Sequence, residues 1–267
     1  MTDLLALGLM RRALAAGILV SAMCGALSPF VVLRRMSFVG HGIAHAAFGG
    51  VALGVLLGIN PLVSGAVFSV GVALLIGVVV RRGRLSEDVS IGILFASAMA
   101  FGVVCLGLMK GYSVDVFGYL FGNLLAVTPA DLVMIGALAL GTLVFLVLLH
   151  REMLFLTFDE EQARAVGLPV IALQTLLLVF LALTIVISIK VVGAVLIAAL
   201  LVVPGAGALQ VFSNYKAVFP FSVALGVSAA VGGLAVSYAA DLAPGATVVL
   251  FAAALFAACL MLGRARR

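Results

Sequence analysis

Charge is scarce in this 267-residue chain: Asp, Glu, Lys and Arg make up 9% of it, against 66% hydrophobic residues and a mean hydropathy of +1.40. Soluble domains carry about a quarter of their residues charged, so a soluble fold is excluded. Cysteine is sparse as well. Cys24, Cys105 and Cys259 each fall inside an apolar run without CxxC spacing, which excludes a disulfide framework and a zinc ribbon. Lysine is limited to Lys110, Lys190 and Lys216, and none follows a glycine, so a phosphate-cradling Gly-Lys-Ser/Thr loop is missing. HExxH and GxSxG are missing too, and Asp88, Asp115, Asp131 and Asp241 stand at the ends of apolar runs, where solvated or capping roles suit them better than proton transfer. Any uphill transport by this chain takes its drive from a partner.

What is present is a series of apolar runs of about the 20 residues that a helix needs to cross a bilayer. They fall near 13–33, 38–59, 61–80, 90–109, 131–149, 170–189, 191–212, 218–239 and 245–263. The expected fold is therefore an all-α integral membrane protein of about nine transmembrane helices, eight to ten, forming one membrane domain over 1–267. Between the fourth and fifth runs, Tyr112 to Pro129 has an apolar core too short to cross as a helix and predicts a re-entrant or interfacial piece. With alternate connections on opposite sides, Arg34, Arg35, Arg81, Arg82, Arg84, Arg151, Arg164, Lys216, Arg264, Arg266 and Arg267 share one side, against Arg11, Arg12, Lys110 and Lys190 on the other. The basic excess marks the cytoplasmic side, which puts the C-terminus inside and the N-terminus outside. Arg11 and Arg12 oppose that assignment, and a separate N-terminal amphipathic helix on the outer surface would accommodate them. These basic residues are read as topology signals and not as a nucleic-acid surface.

The second run contains VGHGIAHAAFGG, Val39 to Gly50. His41 and His45 are four residues apart and share a helix face, which continues through Gly49 and Ala52. Gly42, Ala46, Gly50, Gly54 and Gly58 form a smooth ridge that lets another helix approach closely. Two imidazoles at this spacing can donate two nitrogens to one divalent ion; the alternative is a pair of neutral histidines hydrogen-bonded between helices. Two ligands do not close a site, so other helices, Asn123 among them, or a second copy of the chain would supply the rest.

His150 to Leu168 is the longest cytoplasmic connection. Asp159 predicts an N-cap, with Glu160 and Glu161 in the first turn and Gln162 placed for a capping box. Gly167 suits a left-handed stop and Pro169 bars continuation. A helix over Glu160 to Val166 follows, either a capped surface turn or a docking element.

Taken together, LRRMSFVGHGIAHAAFGGVALG (Leu33 to Gly54), SEDVSIGILFASAMAFGV (Ser86 to Val103), GYLFGNLLAV (Gly118 to Val127), FDEEQARAVGLP (Phe158 to Pro169) and KVVGAVLIAALLVVPGAGA (Lys190 to Ala208) resemble the membrane permease subunits of the ABC importers for zinc, manganese or iron. The resemblance covers nearly the whole chain and implies a type II ABC importer-like permease in a bacterial or archaeal inner membrane. It implies no enzymatic activity in the chain and no permanently bound cofactor, the divalent metal being the transported substrate. It also implies three protein partners: a second permease copy, a cytoplasmic ATP-binding subunit and an extracytoplasmic metal-binding protein. The short helix becomes a coupling element within 150–168, with Phe158, Asp159, Glu160, Glu161 and Gly167 as contacts to the ATP-binding subunit. In similar permeases the residue four before the histidine is commonly Asp; here it is His41, while His45 keeps the histidine. Replacing a hard oxygen by a borderline nitrogen tilts the site toward zinc and away from manganese. A cobalamin- or siderophore-type permease, and a stand-alone cation channel or secondary carrier, are the alternative readings.

Overall fold

The computed structural model describes residues 8–83, 87–109, 122 and 127–265. Within hydrocarbon every backbone N–H and C=O must find a partner inside its own segment or in a neighbour, and the apolar runs meet that demand as helices. Nine of the described helices are long and apolar enough to cross a membrane. They are α1 Gly8–Leu33, α2 Val39–Leu57, α3 Pro61–Arg82, α4 Glu87–Gly107, α5 Pro129–Leu148, α8 Val170–Val192, α9 Ala194–Val211, α10 Tyr215–Ala240 and α11 Pro244–Ala265. Two short helices, α6 His150–Phe158 and α7 Glu160–Ala165, lie between α5 and α8. The expected re-entrant piece at 112–129, with Asn123 and Asp115, lies almost wholly outside the described residues, as does the side chain of Asp88.

One expectation needs correcting. Arg11 and Arg12 do not belong to a separate surface helix: they lie in α1, which is already helical at Gly8, and the Arg12 Nε donates to the Gly8 carbonyl at 3.2 Å. No helix breaker stands between Arg12 and Ala13, so the ladder runs on into the span.

α1 and α2 form the interior, and α4, α5 and α11 lie largely exposed at the periphery. α1 packs on α9 and α10, and α2 packs on α3 and α4. Close approach is bought with small residues. A side chain at Gly25 would begin 2.9 Å from the Ser222 carbonyl oxygen, and one at Gly226 2.7 Å from that of Ser21, so α1 and α10 touch backbone to backbone. Pro29 sits inside α1 and has no N–H to give to the Gly25 carbonyl one turn back. The Ser222 hydroxyl on α10 donates to that oxygen at 2.6 Å, restoring the missing bond from a neighbouring helix. On the other flank of α1, Ser28 Oγ accepts from the Gly205 amide of α9 at 2.8 Å.

Two connections are unusually tight. Arg35 takes φ 58° at the α1–α2 corner, and the Met36 N–H closes it on the Val31 carbonyl at 2.9 Å. Gly193, at φ 84° and ψ 157°, is the single residue between α8 and α9, a backbone region open essentially to glycine alone. At that end of the bundle Asp131 accepts from Lys190 Nζ at 2.8 Å, joining α5 to α8.

Candidate functional site

The ridge on α2 is used within the chain. A side chain at Gly42 would meet Ile91 of α4 at 2.6 Å, and one at Gly50 would begin 2.6 Å from the Phe68 Cβ and 2.8 Å from the Gly65 Cα of α3. Gly54 is equally close to Ser64, at 2.7 Å. Gly58 departs from the ridge: at φ 67° it forms the left-handed C-cap of α2. With α3 and α4 clamped against the smooth side, 12 of the 19 residues of α2 are buried. The residues left partly or fully accessible through its first three turns are His41, His45 and Phe48, positions i, i+4 and i+7 of one stripe. Gly49 and Ala52, which continue the same face, are buried, and the room left at Gly49 is taken by the Ala98 carbonyl of the neighbouring α4.

The two imidazoles therefore stand side by side, His41 exposed and His45 half-buried, on a face of α2 that its own chain covers only in part. Their ring centres are 6.0 Å apart. An ion bound at an imidazole nitrogen lies about 3.2 Å from the ring centre, so two rings sharing it have centres up to about 6.4 Å apart; the pair falls within that reach. Phe95 of α4 holds the His45 ring from one side at 5.0 Å. The His45 Nδ1 is buried and has no hydrogen-bond partner among the described residues, so the alternative of a hydrogen-bonded structural pair finds no support at that atom. No group of three His, Cys, Asp or Glu gathers anywhere among the described residues. The described residues thus bring two imidazoles together here and no third residue of these types.

The coupling segment follows the sequence closely in its cap. Asp159 Oδ1 accepts from the Gln162 amide at 2.8 Å. Gly167 adopts φ 84°, and the Leu168 N–H closes the end of α7 on the Ala163 carbonyl at 3.0 Å. The reciprocal half of the expected capping box is not made: the Asp159 amide donates to the Phe155 carbonyl and ends α6 instead. α6 itself, with Met153 and Leu156 buried, is an element the sequence reading missed; their spacing of three was its only trace. Of the expected contact residues, Phe158, Glu161 and Gly167 are exposed, with Phe158 resting on Tyr215 at 4.7 Å between ring centres. Glu160 is engaged within the chain, by Arg164 at 2.6 Å and by Gln174 Nε2 of α8 at 2.7 Å, and so fastens α7 to α8.

Nine membrane-length helices among the described residues, with two imidazoles paired on one of them and a capped helix at one end, describe a polytopic membrane subunit. The chain belongs to the ABC 3 transport family, which it matches over residues 6–263. It is 37% identical over 255 residues to the manganese transport system membrane protein MntC of Halalkalibacterium halodurans, covering 96% of this chain and 87% of that one. It is 35% identical to the manganese import system permease protein ScaB of Streptococcus parasanguinis, covering 92% and 88%. Its structure is similar to PsaBC from Streptococcus pneumoniae, solved in complex with a Fab, with a TM-score of 0.85 at 33% identity over 97% of this chain and 93% of that one. An inward-facing putative metal-chelate type ABC transporter shares the fold, with a TM-score of 0.73 at 17% identity.

Proposed function

We propose that this chain is the permease subunit of an importer for a divalent metal ion, and that the ion passes between His41 and His45 of two facing copies. The observation that carries the reading is the placement of both rings on the partly accessible stripe of α2. A second copy laid on that stripe would double the nitrogens and wall the path from lipid. Intramembrane ionisable groups serve pathways more often than packing, and the relatives that carry manganese in their names support a divalent cation as the cargo. Zinc and manganese are the candidate ions, and the paired nitrogens favour zinc.

The drive comes from an ATP-binding subunit docked on 150–168, where Phe158, Glu161 and Gly167 offer contact and Asp159 and Glu160 hold α7 in place for it. An extracytoplasmic metal-binding protein delivers the ion at the end carrying Lys190. The end carrying α7 and the C-terminus is cytoplasmic, in line with its excess of Arg and Lys. The experiment is reconstitution of the permease with its ATP-binding subunit in vesicles. Zinc or manganese should stimulate ATP hydrolysis, and labelled metal should enter only with ATP present. Metal flux driven by a gradient alone, without the ATP-binding subunit, would overturn the proposal in favour of a stand-alone channel or carrier.

A further inference from the structure

Beside α7 lies a cavity of about 700 Å³ that the transport reading does not use. Four arginines from three separate segments line it: Arg34 from the α1–α2 corner, Arg81 and Arg82 from the last turn of α3, and Arg164 from α7. Glu160 is the one acidic residue in the described lining, and its carboxylate is already taken by Arg164 and Gln174. Arg81 folds back along its helix so that its guanidinium lies 3.3 Å from where a side chain on Gly77 would begin. The missing side chain there leaves room for it.

The cavity is charged at its mouth and apolar at depth. Its inner wall is made by Val39, Ile76, Ile91, Leu177 and Leu178, and Leu178 lies about 10 Å along α8 from Ile171 at the rim. A second, open groove of about 770 Å³ shares Arg164 and Ile171 and runs along Leu168, Val170, Ala172 and Leu176 of the α8 entrance. A soluble anion would use the guanidiniums and leave the apolar groove bare. A phospholipid matches both features: phosphate among the arginines, chains along the exposed groove, where Ile171 and Leu176 present apolar surface. Basic pockets between membrane helices recognise lipid headgroups in this way.

We propose that the cavity binds an anionic phospholipid of the leaflet at this end through its phosphate, with Arg81, Arg82 and Arg164 as its ligands. That leaflet is the inner one on the orientation above; the binding itself does not depend on it. The test uses the full chain purified in neutral detergent, with native mass spectrometry for bound lipid and thermal unfolding with added phosphatidylglycerol, phosphatidylcholine of the same chains, or inorganic phosphate. The wild-type chain should retain phosphatidylglycerol and gain Tm from it, and from neither of the other two. Each arginine is worth on the order of fivefold in affinity, so R81Q/R82Q/R164Q should retain at least about tenfold less. The control K216Q/R264Q, basic residues at the same end but outside the cavity, should retain as much as wild type. Equal retention in the triple variant, or equal protection by phosphatidylcholine, overturns the proposal. Equal protection by inorganic phosphate assigns a soluble-anion site and overturns the lipid reading. If the triple variant does not fold, the three-ligand comparison on the wild-type chain still decides.

Discussion

Asp131 and Lys190 are surrounded by partners, whereas His41 and His45 stand almost without them. The Asp131 carboxylate accepts from Lys190 Nζ at 2.8 Å, from the Thr128 hydroxyl at 2.8 Å and from the Thr128 amide at 3.0 Å, closing a capping box at the start of α5. At the opposite end of the spans the two imidazoles have a buried, unpartnered nitrogen at His45 and an accessible ring at His41. Burying a polar group without a partner costs free energy, and the first site avoids that cost where the second accepts it. The difference separates a joint, whose polar groups are consumed in holding two helices, from a pair whose polar groups hold no helices together among the described residues.

Four experiments press on this contrast. Replacing both histidines, His41→Ala with His45→Ala, should lower metal uptake on the order of a hundredfold or more while leaving the thermal unfolding temperature almost unchanged; normal uptake at limiting metal would erase the distinction. At the joint, Asp131→Ala strands the Lys190 ammonium and should lower stability by about 2–4 kcal/mol. There the double change Asp131→Leu with Lys190→Met should recover most of the loss in a denaturation series. Gly205→Ala places a methyl 2.6 Å from the Ser28 carbonyl carbon and should cost about 1–3 kcal/mol by forcing α9 off α1. Smallest of all, Ser222→Ala removes the replacement bond to the Gly25 carbonyl and should cost about 0.5–1.5 kcal/mol, visible as faster amide exchange in α1 near Pro29.

The spans were legible because the bilayer imposes a length, and nine apolar runs became nine crossing helices with ends displaced by a few residues. The cap at Asp159 and the stop at Gly167 were legible because each depends on residues only a few positions away. Contacts that close over long separations left no such mark. Nothing in the sequence ties Asp131 to Lys190 fifty-nine positions on, or Ser222 to the carbonyl orphaned by Pro29. The glycine ridge was legible as a demand for a close neighbour but not as a choice of neighbour, and α3 and α4 of the same chain meet it. The bond from Gln174 to Glu160 was equally hidden, because Gln174 lies across a turn, on the next helix.

Gly193 leaves α8 and α9 no slack. Because one residue carries the whole reversal between two membrane-length rods, any tilt of one rod against the other must be absorbed by a single pair of backbone torsions, one turn from the ammonium of Lys190. A methyl at this residue could not keep φ 84° and ψ 157°, so it would shift the corner and the Lys190–Asp131 pair beside it while leaving both imidazoles untouched.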